Sequence, residues 1–198
     1  MLHPVPTLKE TPSQTAGPYV HIGMTPNFCD INGVYDADLG ATMLAPNTKG
    51  ERIEIVGRLI DGSGAPLGDG LVEIWQADAD GKYAQPGTKG FTGWGRQATN
   101  ADGTFRFETI KPGPVPGPDG KLMAPHISLW IVARGINIGL QTRLYFEDEA
   151  DANATDWVLT RIPSPARRKT LIARKEAAGR YVLDIRLQGE NETVFFDL

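Results

Sequence analysis

The stretch from Ala124 to Glu147, APHISLWIVARGINIGLQTRLYFE, constrains this chain more than any other. It opens on Pro125-His126 and runs through a dense apolar segment to Arg134. It breaks at Gly135-Ile136-Asn137 and resumes an apolar run ending at Tyr145-Phe146. Ile131, Val132, Ile136 and Ile138 are β-branched, and Trp130, Tyr145 and Phe146 are aromatic, so strand, turn, strand is the economical reading. A strand pair this apolar belongs in the middle of a sheet. The stretch also holds the only histidine far from the amino terminus, His126.

The flanking sequence carries the same β signature. Arg52 to Ile60 and Leu71 to Ala77 read as strands separated by the Asp61-Gly62-Ser63-Gly64 turn. Thr104 to Ile110 alternates, with Phe105 and Phe107 on one face, and Arg180 to Leu187 alternates Tyr181, Leu183, Ile185 and Leu187. Thr193 to Phe196 is expected to close the chain as a strand. Residues 84–98 read as a loop, and Lys111 to Gly120 as a stiff proline-glycine loop. Glu147 to Ala154 reads as a helical turn, and Ser164 to Ala178 as a short helix near 164–170 followed by strands. Seven or eight short strands, with one or two short helices, predict an all-β sandwich. Its core domain spans 51–198. Residues 1–50, interrupted by Pro4, Pro6, Pro12, Pro18, Pro26 and Pro46, form an irregular arm without a long helix.

Composition excludes several roles. A chain of 198 residues makes one domain with room for an arm. The formal net charge of −4, with no basic block, argues against nucleic acid. No apolar run is long enough to span a bilayer, and the start lacks the apolar core of a signal peptide, so no membrane is expected. The lone Cys29 forbids an internal disulfide and fits a cytoplasmic location.

The residues carry no complete catalytic set. Residues i and i+2 of a strand face one way, so a His-x-His pair presents two imidazoles to one metal, and nearby tyrosinates complete a ferric site. Here the pair is His126 and Ser128, and a hydroxyl is a poor ligand. Tyr83 is the best-placed tyrosine, while His3 and His21 lie in the arm. A strand-end histidine satisfied by backbone groups is the plain alternative for His126. No G-x-S-x-G elbow and no phosphate loop occurs. Arg134 closes an apolar strand and must find a carboxylate, a carbonyl or solvent. Its planar fork suits a carboxylate ligand, with an exposed strand-end arginine as the alternative.

Five stretches are familiar together: TPSQTAGPYVHIG (11–23), LVEIWQADADGKY (71–83), TIKPGPVP (109–116), APHISLWIVARGINIGLQTRLYFEDEA (124–150) and IRLQGENETVFFD (185–197). With them the chain resembles the alpha chains of the two-chain intradiol ring-cleavage dioxygenases. The resemblance implies a homologous beta chain as partner and a higher αβ oligomer. It also implies ring opening of 3,4-dihydroxybenzoate (protocatechuate) by O2. In that family the beta chain holds Fe(III) through two tyrosines and two histidines. The matching positions here are Tyr83, Val115, His126 and Ser128, so the resemblance implies a vestigial metal site and no metal in this chain. A substrate-stabilising arginine of beta chains is Met123 here. The resemblance further implies that Thr15, Gly17, Pro18 and Arg134 line the partner's substrate site, with Arg134 on the substrate carboxylate. A self-sufficient catechol dioxygenase and a non-catalytic binding module stay open as alternatives at this point.

Overall fold

The computed structural model describes residues 14–88, 90–137 and 139–197. His3 and the residues Thr11 to Ser13 of the arm motif lie outside them. The strands are β1 (Arg52–Ile60), β2 (Leu71–Trp75), β3 (Trp94–Ala98), β4 (Thr104–Ile110), β5 (Val115–Pro116) and β6 (Leu122–Met123). They continue with β7 (His126–Val132), β8 (Leu140–Phe146), β9 (Ile172–Ala177), β10 (Arg180–Val182) and β11 (Ile185–Arg186). Among the described residues they are accompanied by three short α-helices, α1 (Pro18–Met24), α2 (Ala150–Thr155) and α3 (Pro165–Lys169).

Nine strands form one hydrogen-bonded sheet that bends back on itself. Its path runs β3-β2-β7-β8-β9-β10-β1, with β4 and β11 also pairing β1. The two ends of this path share one core. Ile53 and Ile55 of β1 and Phe105 and Phe107 of β4 pack with Val72 and Ile74 of β2 and with Ile127, Leu129 and Ile131 of β7. This is the expected sandwich, with the apolar 124–147 stretch interior to the sheet: β7 lies between β2 and β8. Burying each phenylalanine stabilises by about 2–3 kcal/mol.

Period two then decides where the chemistry goes. Ile127, Leu129 and Ile131 face the main core, so His126, Ser128 and Trp130 face the other side of the sheet. On β8, Thr142, Leu144 and Phe146 point inward, and Arg143 and Tyr145 share the outer face with His126 and Ser128. The register pairs His126 with Tyr145 and Ser128 with Arg143. The 147–171 segment covers this face, and Tyr145, Leu159, Leu171 and Ala124 form a second, smaller core there. Within the segment, α3 starts as its sequence predicts: Pro165 follows the cap and Ser164 Oγ accepts from Arg167 N–H at 3.4 Å.

Three expectations need correction. Residues 94–98 are not loop but β3, paired along its length with β2. The 111–120 loop contains a short strand, Val115–Pro116, which pairs with Leu122–Met123 just beyond it. Thr193 to Phe196 makes only one bridge, Gln141 to Phe196. Its Thr193 N–H reaches Arg186 O while Phe196 N–H reaches Gln141 O, so it steps between two strands without following either. The arm also contains α1, begun by Pro18 at its first position, where a missing N–H costs nothing.

A charged cluster ties the 147–149 turn to the sheet. Asp148 accepts from Lys175 Nζ at 2.7 Å and Tyr181 OH at 2.9 Å, with Lys111 Nζ 3.2 Å away. Burial pushes its pKa up, but these donors outweigh it and hold the carboxyl at about 2. A depressed carboxyl pKa stabilises the fold above the unfolded value of 3.8, and that contribution fades as pH falls toward 2. Asp148 is exposed and its ion pairs are screened by solvent, so urea unfolding should show about 1 kcal/mol or less of stability lost between pH 4 and pH 2 through this group. Asp148→Asn should be less stable at pH 7 and should flatten that slope. An unchanged slope would remove Asp148 as its source.

Candidate functional site

Two regions concentrate the residues singled out above. The first is the outer face of β7 and β8. His126 is 4% exposed, and its Nδ1 lies 2.8 Å from Ala124 O. A carbonyl only accepts, so Nδ1 carries the proton and Nε2 presents a lone pair. Nε2 is buried and has no hydrogen-bond partner among the described residues. Burial, then the Arg143 charge, lowers the His126 pKa to about 4, so the ring is neutral at pH 7.

The other three positions assemble around the same place. Ser128 is half-buried and sits directly opposite Trp75 of β2 and Arg143 of β8. Tyr83 stacks on Trp75, with ring centroids 6.2 Å apart and planes 12° apart. Val115 is 4% exposed and packs with Ala77, Met123, Trp157 and Val158. Gly81 permits the approach of the two loops: its φ is +74°, and a Cβ there would lie 2.1 Å from Pro114 O.

This set does not fit a ferric ion. Val115 offers no donor atom and Ser128 only a hydroxyl, which leaves one imidazole and one tyrosine. Burial raises the Tyr83 pKa, the opposite of what a tyrosinate ligand needs, although the Arg143 charge acts against that rise. In the midst of the four positions stands a cation the chain supplies itself. Arg143 Nη1 donates to Tyr145 OH at 3.4 Å and to Met123 Sδ at 3.6 Å, and its charge reaches Tyr83, His126 and Tyr145. Sequence reasoning missed Arg143. The available signal was its alternation with Tyr145 on a strand whose register sets it against Ser128.

The second region is the turn after β7. Thr15 Oγ1 accepts from Gly135 N–H at 2.7 Å, so the arm meets the turn beside Arg134. Gly17 caps α1 and Pro18 begins it, a few residues further along. Arg134 is 71% exposed and its Nε lies 3.1 Å from Asp69 Oδ2. Its guanidinium forms no hydrogen bond among the described residues. Asp69 Oδ1 and His21 Nε2 are buried polar atoms without a partner there, and the Asp69 charge acts on His21. Asp69 was not foreseen, because its link to Arg134 spans distant parts of the sequence. Of the four expected positions, Thr15 thus meets the turn that carries Arg134, while Gly17 and Pro18 follow it in the arm at the start of α1.

Comparison with known proteins agrees with this architecture. Residues 24–189 match the family model described as Dioxygenase. The chain is 48% identical over 200 residues to the protocatechuate 3,4-dioxygenase alpha chain of Pseudomonas putida, covering 98% of this chain and 99% of that one. It is 36% identical to the protocatechuate 3,4-dioxygenase beta chain of Burkholderia cepacia, over 73% of this chain and 67% of that one. Among solved structures, 3-chlorocatechol 1,2-dioxygenase of Rhodococcus opacus 1CP superposes with a TM-score of 0.61 at 25% identity. That match covers 79% of this chain and 67% of the enzyme. No helix among the described residues is long and apolar enough to cross a membrane. With a family model spanning most of its length and a relative matched nearly end to end, the chain belongs to the intradiol ring-cleavage dioxygenase family.

Proposed function

We propose that the chain is the alpha subunit of a two-chain protocatechuate 3,4-dioxygenase. The assembled enzyme opens the ring of 3,4-dihydroxybenzoate between its hydroxylated carbons, placing both atoms of O2 in 3-carboxy-cis,cis-muconate. In this reading Fe(III) sits in the beta chain, because the four positions here lack the donors to hold it. The chain's share is substrate positioning in the partner's pocket through Thr15, Gly17, Pro18 and Arg134. The assembly is a higher αβ oligomer in the cytoplasm, a location that the lone Cys29 fits.

The hydrogen bond from Gly135 to Thr15 carries this reading. It fixes the arm against the turn that presents Arg134, so the arm and the arginine form one surface. The arm also exposes Tyr19 at 85%, together with Phe28, Val34, Tyr35 and Leu39. Apolar side chains concentrated in this way fit a segment that docks on another protein. Co-expression with a beta chain bearing His-x-His and two tyrosines should give a complex that survives gel filtration. Elution of the two chains as separate species would defeat the reading.

Asp69 has a place in this account. It lies 3.1 Å from Nε of Arg134, and the exposed guanidinium forms no hydrogen bond among the described residues, which leaves donors for a carboxylate. Asp69→Asn removes the charge that orients the guanidinium, in an exposed setting where ion pairs contribute little, so the expected rise in KM for protocatechuate is about 2- to 5-fold. A rise as large as that of Arg134→Ala would mean that Asp69 does more than orient.

A further inference from the structure

The outer face of β8 opens into a cleft of about 690 Å³ whose walls are unlike the rest of this acidic chain. Among the described residues, three guanidinium groups line it, from Arg143, Arg161 and Arg167, against one lining carboxylate, Asp197. The whole molecule carries −4, so a positive cleft runs against its average. Between the arginines the walls are apolar, formed by Trp157, Val158, Ile162, Val194 and Phe196. Arg167 is paired with Glu192 at 3.4 Å. Arg161 lies over the Trp157 ring, 3.5 Å from its centroid, and donates to Trp157 O. Neither Arg161 nor Arg143 has an ion-pair partner among the described residues. Arg143 is linked to the Asp156 carboxylate through the Tyr145 hydroxyl. Its Nη1 is engaged by Tyr145 and Met123, while Nε and Nη2 form no hydrogen bond among the described residues.

An arginine edge with two free donors, half-buried between aromatic and aliphatic side chains, is a carboxylate receptor. The volume suits a small molecule, and apolar walls with few convergent polar groups are the usual make-up of a ligand site. Trp157 and Val158 also pack on Val115, and Arg143 stands opposite Ser128. The cleft therefore borders the positions that no longer provide a metal site. We propose that it binds a small carboxylic acid with a flat apolar body. The carboxylate sits on the Nε–Nη2 edge of Arg143 and the ring lies against Trp157, Val158 and Phe196. Arg161 closes the mouth and adds a second positive charge.

This inference goes beyond the subunit reading and does not depend on it, since its test contains no partner chain, no iron and no O2. The probe is 4-fluorobenzoate, followed by its fluorine resonance during titration with the full chain. It lacks the adjacent hydroxyl pair and is not a ring-cleavage substrate. The expected result is saturable binding at one site per chain, weakened at least 10-fold in Arg143→Gln and several-fold in Arg161→Gln. The exposed Arg161 keeps the test intact if the Arg143 variant folds poorly. The neutral 4-fluorobenzyl alcohol should bind at least 10-fold more weakly. Absence of saturation, equal binding of acid and alcohol, or unchanged binding in Arg161→Gln and Arg143→Gln would overturn the proposal.

Discussion

Arg134→Ala in the assembled two-chain enzyme should raise the KM for protocatechuate about 10- to 100-fold, and that for catechol less than about threefold. The two substrates differ by one carboxylate, and the proposed role of Arg134 is to pair with it. A charge-assisted hydrogen bond to a carboxylate contributes about 1.5–3 kcal/mol, and about 1.4 kcal/mol corresponds to a factor of ten. The structure favours this use of the side chain. Asp69 holds Nε at 3.1 Å, the guanidinium is 71% exposed, and Thr15 braces the adjacent Gly135. The arginine is thus oriented before substrate arrives, which lowers the entropic cost of the contact. Arg134→Lys keeps the charge but loses the fork, and should fall between wild type and alanine. Steady-state oxygen uptake with both substrates decides the matter. Equal effects on protocatechuate and catechol would remove the carboxylate contact and leave only a structural role.

Asp156→Ala should cost about 3–5 kcal/mol of stability, measured by urea unfolding. Asp156 is fully buried, yet every donor around it is one the fold must satisfy. Oδ1 accepts from Tyr145 OH at 3.0 Å and from Val158 and Leu159 N–H at 2.9 Å, and Oδ2 accepts from Ala124 N–H at 3.0 Å. Alanine would strand all four donors away from water at once. Asparagine keeps one oxygen but turns an amide toward a donor, so Asp156→Asn should lose about half as much. The same carboxylate links Ala124 just before β7, Tyr145 of β8 and the 156–162 segment, and so sets Trp157 and Val158 against Val115. A loss below about 1 kcal/mol for the alanine variant would mean that water replaces the hub.

Where alternation was clean, the sequence was legible. Ile127, Leu129 and Ile131 face the core as their spacing requires, and the same period turns His126 and Ser128 toward Arg143 and Tyr145. The strand Trp94–Ala98 was not legible, because WGRQA has no apolar alternation. Its Gly95 is explained by tertiary packing: a Cβ there would lie 2.7 Å from Met43 Sδ, so the glycine makes room for a side chain from the arm. The shortage of metal donors at Val115 and Ser128 could be counted from residue types alone. What stands among those positions could not. Arg143, Asp69 and Asp156 act through partners fixed by register or by distant loops, and no local pattern marks them.

Iron content together with oxygen uptake on protocatechuate separates a supporting subunit from a self-sufficient enzyme. Both are measured on this chain alone and on the chain co-expressed with a beta partner. The subunit account predicts neither iron nor uptake for the chain alone, and both in the complex. About one iron per chain, with turnover by the chain alone, would contradict it, and Val115 and Ser128 could then no longer be read as lost ligands.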